Sequence, residues 1–267
     1  KYKSAFSGKI PNKIEWSWLG PTPLIIPTPC KKINALFAFS RLFAKVLCLY
    51  NIKTYLFKNF APTPLCVYAV KKFGCGFGVM ITASHNNKFY NGIKVYDHNG
   101  IQINNETQKA ISEIFNNTDE VEIYNKIYKN KLSKDIIFVK NDLEIEFSSF
   151  NVEENEKNLK IVYTPLNGTG KRCVTNLLKN CKYKFHIPAC QKMASGDFKT
   201  CPYPNPEMEE SFCESIKLAK KIDADIIVAT DPDADRLGAM VKHNGNYVKL
   251  SGNEVGYIFA DYLLSKN

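Results

Sequence analysis

Apolar residues fall into short unbroken runs separated by polar, glycine- or proline-bearing stretches, with helical-period segments between them. Val79-Met80-Ile81 predicts a buried strand, and the polar run Thr82-Ala83-Ser84-His85-Asn86-Asn87 follows at once. Ile93-Lys94-Val95-Tyr96 predicts a second strand, entered through Asn91-Gly92, a pair suited to a tight turn with positive φ. Upstream, residues 35–50 carry an amphipathic helix pattern, and Thr54-Tyr55-Leu56-Phe57 continues as a strand beneath it. Pro62-Thr63-Pro64 then leads into a helix over 65–73 and the glycine-spaced Gly74, Gly76 and Gly78. Before all of these, Gly20-Pro21-Thr22-Pro23 and Pro27-Thr28-Pro29 predict extended or loop backbone.

Residues 106–115 place Ala110, Ile111, Ile114 and Phe115 at helical spacing, which predicts a surface helix. From 116 to 158 Asn, Lys, Asp and Glu dominate, as in an insertion-tolerant, partly helical connection holding a domain boundary. A second unit opens at Lys160 with a strand, a turn through Gly168 and Gly170, and a helix bearing Val174, Leu177 and Leu178. A helix over 208–221 feeds a buried strand at 224–230, and Leu237 starts another. An apolar helix follows Ser251-Gly252-Asn253-Glu254 and runs to Leu264. The alternation predicts an α/β protein, with one unit over 1–150 and a second from 151.

At 267 residues the chain can bury the cores of one or two domains. Hydrophobic residues make up 45% and charged residues 23%, an ordinary globular composition that argues against a disordered chain. The formal charge of +10 suits anionic ligands but does not choose among nucleic acid, membrane surface and sugar phosphates. No RNA-binding signature and no Lys/Arg run with interleaved aromatics occurs, so a nucleic-acid binder is disfavoured. The 35–50 segment carries Arg41 and Lys45 and is too short for a bilayer span, so no membrane partner is expected. Nine cysteines at irregular spacing with no C-x-x-C predict neither a disulfide framework nor a zinc site; they read as reduced thiols in a cytoplasmic protein.

Two stretches carry chemistry. Ser84 and His85 sit on a polar loop at the mouth of a sheet, with Lys94 ten residues on, as a nucleophile is displayed on a rigid scaffold. The bland alternative is a polar connection between two strands. Further on, the strand ending at Thr230 delivers Asp231-Pro232-Asp233-Ala234-Asp235-Arg236. Two unit charges 4 Å apart cost about 4 kcal/mol at an effective dielectric near 20. Three such carboxylates raise their pKa values or bind a hard cation, and oxygen ligands on a short loop suit Mg²⁺. An EF-hand is excluded because Arg236 and Lys242 stand where it needs Gly and Glu. A haloacid-dehalogenase loop wants Thr or Val where Asp235 stands, and a solvated acidic turn is the bland alternative. Gly168 and Gly170 read as a tight turn before they read as a phosphate cradle.

Thr82-Ala83-Ser84-His85-Asn86, with Asn91-Gly92-Ile93-Lys94 behind it, resembles the phosphoserine loop of the α-D-phosphohexomutases, the phosphoglucomutase and phosphomannomutase superfamily. Ala61-Pro62-Thr63-Pro64-Leu65 is similar to the family's segment before that loop, and the string 163–170 to the opening of its second domain. The acidic loop resembles the family's D-G-D-A-D-R metal loop with Pro232 replacing glycine. That change, with 199–207 (KTCPYPNPE) and Ser251-Gly252-Asn253-Glu254-Val255-Gly256, is similar to the branch containing phosphopentomutase and glucose-1,6-bisphosphate synthase. The chain departs from the family at Asn87, where a proline is usual. The family's early G-T-x-G-x-R motif has no match in residues 1–34, and its sugar-selecting and phosphate-gripping loops are not in this sequence.

The resemblance implies two consecutive three-layer α/β/α domains with mixed sheets, covering the N-terminal half of a mutase. It implies that Ser84 carries a phosphoryl group and that Asp231, Asp233 and Asp235 hold Mg²⁺, which also meets an oxygen at Ser84. Arg236 neutralises charge and contacts substrate. His85 and Lys94 contact substrate, and one of them accepts or polarises the sugar hydroxyl proton. His85 reads first as an orienter of the serine loop, while His98, His186 and His243 read as surface residues. The implied partners are sugar phosphates and sugar bisphosphates, with the oligomeric state open. A bisphosphate synthase and a catalytically silent sugar-phosphate-binding protein remain alternatives.

Overall fold

The computed structural model describes residues 24–28, 33–119, 121–122, 125, 136–149 and 158–266. The proline breaks expected at Gly20–Pro23 and at Pro29, and much of the connection expected over 116–158, lie outside them.

The first sheet contains β1 (Leu24–Thr28), β2 (Thr54–Phe60), β3 (Phe77–Ile81), β4 (Ile93–Asp97) and β5 (Ile136–Val139), in the order β4-β3-β1-β2-β5. β1 pairs in parallel with β2 and β3, β2 in parallel with β5, and β4 closes the edge antiparallel to β3. Pro27 sits in the central strand, and the β1–β2 register shifts between Ile26 and Thr28, the kind of irregularity at which a residue without N–H is tolerated. Helix α1 (Ile33–Leu49) lies on one face, where Ala44 and Leu47 join Leu56, Val79 and Ile81. Helix α2 (Thr63–Lys72) lies on the other, burying Leu65, Cys66, Ala69 and Val70 against Phe57, Cys75 and Val139. Covering both faces is what a largely parallel sheet requires, and it produces three layers. Helix α3 (Asn105–Asn116) is capped by the Asn104 side chain and lies exposed, as its pattern predicts. The region 116–158 was expected to be a partly helical connection. It also supplies β5 and the short helix α4 (Asp142–Phe147) to the first domain.

The second sheet has β6 (Lys160–Thr164), β7 (Lys184–His186), β8 (Ile226–Thr230), β9 (Leu237–His243) and β10 (Asn246–Leu250), in the order β10-β9-β8-β6-β7. It is parallel about β6 and antiparallel from β8 through β10. Helix α5 (Lys171–Asn180) follows β6. The helix expected over 208–221 resolves into a 3₁₀ turn at Glu209–Phe212 and α6 (Cys213–Ile222), which ends at Asp223 in the left-handed conformation. Val162, Phe212, Ala219, Ile227 and Met240 make its core. Helix α7 (Gly252–Leu264) opens with a capping box between Ser251 and Glu254.

The domains share side chains. Cys173 of α5 packs in the α2 core, Arg172 Nη2 lies 2.7 Å from Glu144 Oε2, and Asn180 Nδ2 donates to the Ser148 carbonyl at 3.2 Å. Among the described residues the cysteines are free thiols, and no helix is long and apolar enough to cross a membrane.

Candidate active site and cation-binding loop

The loop after β3 is folded on itself. Thr82 N donates to the Gly92 carbonyl at 2.8 Å, closing its base, and Asn86 N donates to the Ala83 carbonyl. Ser84 N donates to Thr82 Oγ1 at 2.8 Å, and Ser84 stands at φ 50°. A non-glycine residue in that region carries strain held by its surroundings, as is common where a side chain must be presented. The expected tight turn at Asn91-Gly92 is not formed, since neither residue has positive φ. The connection is the whole 82–92 loop. Gly92 is needed for close approach instead, because a Cβ there would stand 3.1 Å from the Thr82 carbonyl.

The acidic loop is tighter still. Asp231 Oδ1 accepts from the backbone N of Asp235 at 3.1 Å and of Arg236 at 3.0 Å, while Ala234 turns through φ 56°. Behind it, the Pro232 carbonyl accepts from Thr169 N at 2.8 Å and from Thr169 Oγ1 at 3.0 Å. Gly168 and Gly170 serve close packing behind that loop, and the Gly168 N–H is given to the Pro165 carbonyl at 2.7 Å. A Cβ at Gly168 would meet Pro232 Cα at 2.5 Å, and one at Gly170 the Tyr163 hydroxyl at 2.7 Å. The first turn of the second domain is the seat on which the acidic loop rests.

The two loops meet. Ser84 Oγ donates to Asp231 Oδ2 at 3.1 Å across 147 positions of sequence, and His85 Nδ1 lies 3.4 Å from the same hydroxyl oxygen. Lys94 Nζ donates to Asp233 Oδ2 at 2.8 Å and to Asp235 Oδ2 at 2.5 Å. One ligand oxygen from each of Asp231, Asp233 and Asp235 lies within 4.8 Å of the others. Asp231 and Asp233 are buried and Asp235 is exposed. Arg236 is held by Glu207, its Nη1 donating to Glu207 Oε1 at 2.9 Å, with its charge still acting on His85. His98, His186 and His243 are exposed and away from these contacts, as expected.

Electrostatics separate the carboxylates. Burial, then the neighbouring Asp233 and Asp235, push the Asp231 carboxyl up. Burial also acts upward on Asp233, but the adjoining Asp231 carboxyl, the Lys94 charge, and hydrogen bonds from Lys94 and Thr63 outweigh it and hold that carboxyl low. Burial disfavours the Lys94 ammonium, yet the Asp233 charge and the two hydrogen bonds reverse this and raise its pKa. Burial and Arg236 lower His85, against Glu207, Asp233 and Asp235. The imidazole is thus favoured neutral and the lysine charged.

The donor set fits a small hard cation. It is all oxygen, and Asp233 Oδ1 is buried without a hydrogen-bond partner. A buried, unpartnered carboxylate oxygen costs several kcal/mol unless a ligand completes it.

Two contributors were not singled out for the site from sequence. Thr63 Oγ1 donates to Asp233 Oδ2 at 2.9 Å, and Glu207 holds Arg236. Both lie in segments that sequence reading treated as markers of resemblance. Their polar side chains beside proline, at Thr63-Pro64 and Pro206-Glu207, were the available signal.

Residues 37–122 match the phosphoglucomutase/phosphomannomutase α/β/α domain I, and residues 138–245 match domain II. The chain belongs to this family. A phosphoglucomutase of Staphylococcus epidermidis is 33% identical over 236 residues, covering 85% of this chain and 43% of that protein. One from Staphylococcus saprophyticus is 36% identical, covering 83% and 42%. The chain thus spans less than half the length of these relatives. Among solved structures, a Thermus thermophilus protein described as a phosphomannomutase superposes with a TM-score of 0.77 at 21% identity, covering 93% of this chain and 54% of that one. A phosphoglucomutase/phosphomannomutase family protein from Burkholderia thailandensis gives 0.69 at 19%, covering 94% and 52%. These two likenesses concern the fold alone. The two mixed sheets with their helices are the family's domains I and II.

Proposed function

We propose that this chain provides the phosphoserine loop and metal loop of a phosphohexomutase that moves a phosphoryl group between two positions of a sugar phosphate. Domain limits of 1–150 and 151–250, with 251–267 opening a third domain, go with that reading. The observation that carries it is the 3.1 Å approach of Ser84 Oγ to Asp231 in the acidic loop.

Asp231, Asp233 and Asp235 would hold Mg²⁺, and the ion when bound supplies neutralisation of phosphoryl charge. In the transfer itself the bond between phosphorus and Ser84 Oγ breaks and a bond from phosphorus to a sugar hydroxyl oxygen forms. The hydroxyl proton must leave and Ser84 Oγ must regain one. His85, favoured neutral and 3.4 Å from Oγ, is suited to carry that proton. Lys94, held as an ammonium by Asp233 and Asp235, is suited to polarise and balance charge rather than to accept the proton. Arg236, half-exposed on its Glu207 partner, is suited to meet the incoming phosphate. Positioning and charge carry most of such a reaction. After the bisphosphate turns over in the site, its other phosphate returns to Ser84.

Pro232, the 199–207 loop and the segment from Ser251 support the phosphopentomutase-like branch, and the free thiols support a cytoplasmic setting. Incubation with ³²P-labelled glucose 1,6-bisphosphate tests the reading. Acid-stable label on the protein, absent from Ser84→Ala, is expected; equal label on both proteins would refute it.

A further inference from the structure

Asp233 is the only member of the triad gripped from the other domain by a neutral side chain as well as by backbone, among the described contacts. Thr63, the first residue of α2, donates from its backbone N to the Asp233 carbonyl at 2.7 Å and from Oγ1 to Asp233 Oδ2 at 2.9 Å. Thr63 is 4% exposed and Asp233 1%, so neither bond has water to replace it. The residue before it, Pro62, gives α2 no side-chain cap. The N–H of Thr63, one of the donors left open at the start of a helix, is spent on the acidic loop. With Thr63 and Lys94 both on Oδ2, the other oxygen, Oδ1, is left buried and without a partner.

We infer that Thr63 is a positioning residue for the cation: it fixes the rotation of the Asp233 carboxylate so that Oδ1 faces the ion, and it ties that orientation to the domain carrying Ser84. The hydroxyl has one donor proton, and Oδ2 takes it. A carboxylate held at one oxygen has its second oxygen aimed, which is how partners behind a ligand set metal affinity. This inference rests on the reading of the triad as a cation site.

The test is Mn²⁺ binding followed by electron paramagnetic resonance, with thermal unfolding in EDTA alongside. Thr63→Val keeps the shape of the side chain and removes the donor; it is expected to weaken Mn²⁺ by ~10–100-fold. Thr63→Ser retains the hydroxyl and is expected to bind within about 3-fold of the parent, the usual spread of context effects on a kept contact. Should Thr63→Val not fold, Thr63→Cys, a weak donor of similar size, is expected to fall between the parent and a full loss. A Thr63→Val or Thr63→Cys protein with lowered unfolding temperature but parental Mn²⁺ affinity would overturn the inference, leaving Thr63 a packing residue. A parent protein that takes no Mn²⁺ would overturn both the inference and the cation site beneath it.

Discussion

Replacing Gly168 with alanine should disable the acidic loop from behind, without touching any carboxylate. The added Cβ would lie 2.5 Å from Pro232 Cα, 2.6 Å from the Pro232 carbonyl oxygen and 2.7 Å from the Pro165 carbonyl oxygen. Ordinary contact begins at 3.4 Å, so the shortest of these is about 0.9 Å too close. All three atoms are backbone and cannot swing aside, and Pro232 lies between two triad members. Relief requires the loop to lift from its seat, stretching the 2.8 Å and 3.0 Å bonds from Thr169 to the Pro232 carbonyl. Overpacking of this kind costs about 1–3 kcal/mol. For a protein of this size that corresponds to an unfolding temperature lower by about 2–12 °C. A shift approaching 1 Å at reacting groups can cost about 10²-fold in rate. The assay pairs thermal unfolding with Mn²⁺ binding and phosphoryl labelling of Ser84. Gly256→Ala is the control: nothing lies within 4 Å of its Cβ position, and it sits inside α7, where alanine should be neutral or stabilising by up to about 1 kcal/mol. Gly168→Ala proteins that melt within about 1 °C of the parent and bind Mn²⁺ equally would refute the reasoning, since the clash would then be absorbed elsewhere.

Lys94→Met leaves the buried Asp233 and the exposed Asp235 without their cation; breaking this partly buried network is expected to cost at most about 3–5 kcal/mol in EDTA, with added Mg²⁺ stabilising the variant more than the parent. Equal unfolding temperatures in EDTA would speak against it. Burial pushes the Glu144 carboxyl above its ordinary value, with Arg172 opposing. Its contribution is therefore fully present below the unfolded carboxyl's pKa and lost as pH rises through the folded one, so Glu144→Gln should gain on the parent in unfolding temperature as pH rises above the ordinary Glu value of about 4.3. A flat difference over that rise in pH would contradict this. Glu207→Gln removes an exposed partner of Arg236 and should change stability by less than about 1 kcal/mol. Because the Glu207 charge raises His85 against burial and Arg236, the same variant should move the His85 titration further down by NMR; an upward move would reverse the assigned electrostatics.

Both α/β units and each of the two loops were legible in sequence because they rest on strong local signals, whereas the meeting of Ser84 with the aspartates followed only from the family resemblance. A buried apolar run ending in a polar loop marks Ser84, and three carboxylates on one turn mark the cation loop. The weak signals belong to features fixed by partners distant in sequence. β5 and β7 are four and three residues long, too short for any period to register, and they exist because a neighbouring strand offers its edge. Asn91-Gly92 has the composition of a tight turn, but the 82–92 loop closes through Thr82 and the Gly92 carbonyl, a bond between residues ten apart. Gly168 and Gly170 read locally as turn formers, whereas their demand comes from Pro232, Tyr163, Thr230 and Ala234. Thr63 is ordinary at the start of a helix, and only the arrival of Asp233 gives its hydroxyl a task.

The packing of Cys173 among the side chains beneath α2, reinforced by Arg172 on Glu144, ties the two sheets to each other. A hinge between them would have to draw Cys173 out of that apolar cluster, so the closed spacing of the serine oxygen and the acidic trio is favoured by packing remote from both. Under the proposed mutase reading, the turning-over of a bisphosphate would fall to the sugar itself, above a floor that this interface holds together.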